Sequence, residues 1–208
     1  MDDLKLLSER LDTFLKQTKI ITENDVYEAL GLLGPAGKIL KAAVTFPAMI
    51  FARHCYAFLQ VGNGATQAKR EKIFKQLNHE SKIVPNVNEI ILEQINKCDS
   101  EEKANYLGVL FFRGIGNDLI SIEEFIRLSQ IIVAAYNNEI DYVITVEDND
   151  IDETGVVIEH LVNIGVLTRV YGEIGFGDTF MMKRKPTWTD DGKKIRAILR
   201  EVQLLNDK

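Results

Sequence analysis

GVVIEHLVNIGVLTRVYGEIGFGDTFMMKRKPTWTDDGKKIRAILREVQLL, residues 155–205, is the stretch whose reading decides the fold. Val156, Val157, Leu161, Val162 and Ile164 recur at helix-compatible spacing, and Gly165 stands where a helix C-cap belongs. Leu167-Thr-Arg-Val-Tyr171 then reads as a strand, Gly172, Gly175 and Gly177 as a turn, and the residues up to Pro186 as a returning strand. Thr189-Asp-Asp-Gly192 opens a last helix whose apolar face carries Ile195, Ile198, Leu199 and Val202. The expected order is helix, β-hairpin, helix.

That order, with its glycine turn and its T-x-x-G helix start, resembles the distal half of a winged-helix domain over residues 155–205. With the preceding helix included, the likeness extends over about residues 120–205. The resemblance implies DNA binding, but the charges depart from it. A helix that reads DNA presents cations and polar groups to phosphates and base edges. Here Glu139, Asp141, Glu147, Asp148, Asp150, Asp152, Glu153 and Glu159 meet no Lys or Arg from 139 to 159. The second strand and last helix reverse the sign through Lys183, Arg184, Lys185, Lys193, Lys194, Arg196 and Arg200. An acidic helix beside a basic wing points to a docking surface of two signs, suited to a protein partner or to head-to-tail self-association. Lys183, Arg184, Lys185, Lys193, Lys194, Arg196 and the nearby Trp188 are its candidate contact residues. Trp188 and Tyr171 also suit the cover of the module's core.

Upstream, Ser121-Ile-Glu-Glu124 is a capping box that opens a helix over IEEFIRLSQIIVAAYNNEIDYVI, residues 122–144. The preceding Gly114-Ile-Gly-Asn-Asp118 is the expected domain boundary. It divides a helical bundle, residues 1–115, from a winged-helix-like module, residues 119–208. In the bundle, Leu4, Leu7, Leu11, Phe14 and Leu15 form one helical stripe, and Thr22 caps a short helix ending near Gly31 to Gly34. Residues 35–64 read as a long apolar helix, kinked or broken at Pro47. Residues 65–78 form a basic amphipathic helix, residues 87–98 another, and Ser100 caps a third over residues 103–114. The fold class expected is mainly α, a helical bundle plus a winged-helix-like module with one β-hairpin.

Composition bounds the function. The 208 residues carry a net charge of -6, 46% hydrophobic and 27% charged residues, as an ordinary globular protein does. The negative balance disfavours bulk binding to nucleic acid or anionic lipid. The apolar run Ala42 to Ala52 is shorter than the roughly 20 residues a membrane span needs, though Lys38, Lys41 and Arg53 at its margins would suit a membrane surface. Cys55 and Cys98 form no framework, and the acidic start MDDLKLL differs from a signal peptide, so a reducing, cytoplasmic setting is expected.

Chemistry is scarce. Asp148, Asp150, Asp152 and Glu159 have the spacing of calcium ligands in an EF-hand loop, but Glu153 replaces the turn glycine and Gly155 the apolar eighth residue. An acidic, helix-capping loop fits better, and these four residues remain the candidate metal set. His54, His79 and His160 have no metal-ligand spacing, no GxSxG is present, and the Gly172–Gly177 loop precedes a strand where a phosphate cradle needs a helix. No cofactor and no catalytic residue is expected. The leading expectation is a non-enzymatic interaction or assembly subunit, an adaptor of the kind common among bacterial accessory proteins. The alternatives are a winged-helix DNA-binding regulator and a helical protein attached to a membrane surface.

Overall fold

The computed structural model describes residues 20–30, 46–80, 87–148, 150–152, 154–169 and 185–206, excepting the side chains of 29, 80 and 202–206. It is mainly helical with one short antiparallel strand pair. The chain divides into two compact units, Met1–Val133 and Ala134–Lys208. The division falls later than the expected boundary at Gly114–Asp118. The helix opened by the Ser121–Glu124 capping box belongs to the first unit, because Phe125 packs edge-on against Phe111 with ring centroids 5.2 Å apart.

In the first unit, α1 (Glu23–Ala29) starts as its sequence dictates: Thr22 Oγ1 accepts the Asp25 N–H, and the Asp25 carboxylate accepts the Thr22 N–H. The chain just before α1 is tied to the end of α2 (Phe46–Asn63), where the Asn63 amide exchanges two hydrogen bonds with the Ile21 backbone. Then come α3 (Gln67–Glu80), α4 (Val87–Lys97) and α5 (Glu101–Val109), the last capped by Ser100 Oγ accepting the Lys103 N–H. Helix α5 runs into a π-helical turn, Leu110–Ile115, and α6 (Ile122–Ala134) follows.

The core of this unit is aromatic. Phe58 of α2 meets Phe111 and Phe112 of the π turn at 5.3 and 5.7 Å, and all three are buried with Phe125. Lys103 is buried too, its ammonium held by the Asp99 carboxylate at 2.8 Å and the Val133 carbonyl at 3.3 Å. Helix α2 turns Ala52, Cys55, Phe58 and Leu59 inward, so its later turns are core helix, while Phe46 and Ile50 near its start are 75% and 38% exposed. Among the described residues no helix is long and apolar enough to cross a membrane. The stripe Leu4–Leu15, the apolar residues 35–45 and the junction at which Pro47 was expected to kink the chain lie outside or at the edge of the described residues.

In the second unit, α7 (Asn137–Thr145) is separate from α6, whereas the sequence suggested one helix over 122–144. The break has a local cause. Tyr136 is extended, and its N–H donates to the Glu139 carboxylate at 2.8 Å, a start signal three residues apart. Helix α8 (Val156–Asn163) follows the acidic loop, then β1 (Leu167–Thr168), β2 (Thr187–Trp188) and α9 (Asp190–Asn206). Leu167 pairs with Trp188 and Thr168 with Thr187. The expected hairpin tip, with Tyr171 and Gly172–Gly177, lies outside the described residues.

The glycine turn and the T-x-x-G start interlock. Gly165 has φ 83°, and the N–H groups of Gly165 and Val166 return to the Val162 and Leu161 carbonyls, closing α8 in a Schellman motif. The carbonyl of that same Gly165 accepts the Thr189 hydroxyl at 2.7 Å, while Thr189 Oγ1 caps α9 by accepting the Gly192 N–H at 2.9 Å. Gly192 must be glycine: a Cβ there would lie 2.2 Å from the Val166 carbonyl oxygen. One threonine thus fastens the end of α8 to the start of α9.

Candidate interaction surface

The acids and bases of the second unit neutralise each other. The last carbonyls of α7 have no helical partners of their own, and two arginines of α9 supply them. Arg200 Nη2 donates to the Val146 carbonyl at 2.9 Å and its Nε to that of Ile144, while Arg196 Nη2 reaches Val146 as well. Cations at that end of α7 also complement its dipole. The next two acids close over them: Glu147 meets Arg200 at 3.1 Å and Arg196 at 3.4 Å, and Asp148 pairs with Arg196. On its other side the Arg196 guanidinium lies 4.9 Å from the centre of the Trp188 ring.

This arrangement changes the reading of the expected contact residues. Arg196 and Trp188 are buried, 9% and 7% exposed, and hold the strand pair and acidic loop to α9 instead of facing outward. Lys193 is exposed and 3.8 Å from Asp190; Lys185 is exposed and Lys194 half-buried. Lys183 and Arg184 lie outside the described residues. The two signs that suggested head-to-tail association are, in α7, the acidic loop and α9, partners within one unit.

The candidate calcium set does not converge. Asp148 is engaged with Arg196, and Glu159 pairs with Arg169 at 2.7 Å. The Asp152 N–H donates to the Tyr142 hydroxyl at 3.0 Å, fixing the loop to α7 with its carboxylate exposed; burial raises the Tyr142 pKa. Among the described residues no three of His, Cys, Asp or Glu are grouped to hold a metal ion.

Both cysteines and His54 are core residues. Burial pushes the Cys98 thiol up to about 12 and the Cys55 thiol higher still, the reverse of what a nucleophilic cysteine needs. His54 is buried with Nδ1 unpartnered, and its pKa is lowered chiefly by that burial. His79 lies exposed near the end of α3.

His160 differs from both. Its Nδ1–H donates to the Glu139 carboxylate, 2.8 and 2.9 Å from the two oxygens, and Glu139 is only 2% exposed. A carboxylate so buried needs such partners, and it has two, the imidazole and the Tyr136 N–H. The Tyr136 ring is 5.2 Å from the imidazole and 62% exposed. One turn back along α8, Val156 is 88% exposed. Tyr136, Val156 and half-exposed His160, bordered by Glu159 and Asn163, make an apolar and aromatic surface whose imidazole is anchored on the buried Glu139 carboxylate.

The chain matches no protein-family model, no curated protein and no solved structure.

Val156, Val157, Leu161, Val162 and Ile164 have helix-compatible spacing in the sequence, and of these Leu161 is buried in α8. Ile158, which that set left out, is buried beside it, and exposed Val156 lies about 200° around the helix from Ile158. Tyr136 and the Glu139–His160 pair were missed, because acid and histidine stand 21 positions apart. The one available signal was Tyr136-Asn-Asn-Glu139, a helix start embedded in an apolar run.

Proposed function

We propose that the protein is a non-enzymatic interaction subunit, and that the second unit is a winged-helix-like module which docks a protein partner through the Tyr136–Val156–His160 surface. The observation that carries this reading is Val156, 88% exposed on α8. In a DNA-reading winged helix the corresponding position would serve the groove with a polar or basic side chain. The rest of the α8 outward face, Glu159, His160 and Asn163, adds no Lys or Arg. Exposed aromatic and aliphatic groups beside a rigid polar pair are the composition of a small interface centre. The engagement of Arg196 and Arg200 with α7 supports the same preference, since it takes two cations away from phosphate binding.

The test is co-purification with the tagged full-length chain, comparing wild type with a Tyr136→Ala/Val156→Asp variant. A stoichiometric companion, another protein or a second copy, that is lost in the variant supports the reading. Equal recovery with both chains removes it. Exposed Lys185 and Lys193 favour the second reading, a DNA-binding regulator. A mobility shift that is undetectable at low salt would exclude it, because phosphate contacts are strongest there. A cytoplasmic setting is part of the proposal, as both cysteines are buried thiols.

A further inference from the structure

We draw no further inference here: the strongest candidate, the exposed Tyr136–Val156 patch beside the Glu139-held imidazole of His160 on the outward side of α7 and α8, belongs to the surface already described, and nothing in the structure shows what covers it.

Discussion

His160 of α8 donates its Nδ1–H to the buried carboxylate of Glu139 in α7 at 2.8 Å, and that carboxylate also accepts the Tyr136 N–H at the start of α7. Removing either partner therefore has unequal consequences. His160→Ala leaves a buried carboxylate without its side-chain donor, and we predict a loss of about 2–3 kcal/mol, the upper part of the range for an orphaned buried group. Glu139→Gln keeps an acceptor for both N–H groups and should cost less, about 1 kcal/mol. Urea denaturation of the two variants checks the order; a larger loss for Glu139→Gln would contradict it.

Thr189 and Gly192 predict a second pair of effects. Thr189→Ala deletes the α9 cap and the bond to the Gly165 carbonyl, for a loss of about 1–2 kcal/mol. Gly192→Ala forces a Cβ against the Val166 backbone oxygen. Backbone must then move, and a loss of about 1–3 kcal/mol is expected. Thermal unfolding measures both; Gly192→Ala with wild-type stability would refute the close approach.

Arg196 separates pairing from mere charge. Its guanidinium serves a helix carbonyl and Asp148 while stacked on Trp188, so Arg196→Ala is expected to cost about 1–3 kcal/mol. Lys193, exposed beside Asp190, is expected to change stability by less than about 0.5 kcal/mol when replaced by Ala. Equal effects in chemical denaturation would show that the arginine clamp contributes nothing.

The thiols give a pH dependence. Burial holds Cys98 protonated to about 12, against 9.0 for an ordinary thiol. Because the folded pKa is the higher one, the unfolded chain releases this proton first as pH rises. The associated stability is fully present below about pH 9 and is lost between there and about 12. Native protein at pH 8 should accordingly react with a thiol reagent only as fast as it unfolds. Prompt labelling of Cys55 or Cys98 would contradict their burial.

Much of the fold could be read from local signals. The Thr22, Ser100 and Ser121 caps and the T-x-x-G start each depend on a side chain within three residues of the N–H it serves, and the Gly165 stop on that one residue's positive φ. The surface was less legible for the opposite reason. The acids of 139–159 form one run in sequence, yet Glu139 turns inward to His160, Glu147 and Asp148 meet α9, and Glu159 meets Arg169. Their partners are chosen by the tertiary fold, so a count of charges along the chain mistook internal pairing for two opposed faces. Which face of α8 is buried was not legible either, because its abundant valines make several helical faces look apolar.

The central claim, that Tyr136 and Val156 form a docking surface, rests most directly on one comparison. The native assembly mass of the captured full-length chain should be measured beside that of Tyr136→Ala/Val156→Asp. Both side chains are exposed, so the variant should keep wild-type stability within about 0.5 kcal/mol. The account predicts a complex in wild type and at least a roughly tenfold weaker one in the variant, the loss of about 1.4 kcal/mol that truncating interface anchors brings. A monomer in both samples, or the same complex in both, would contradict it.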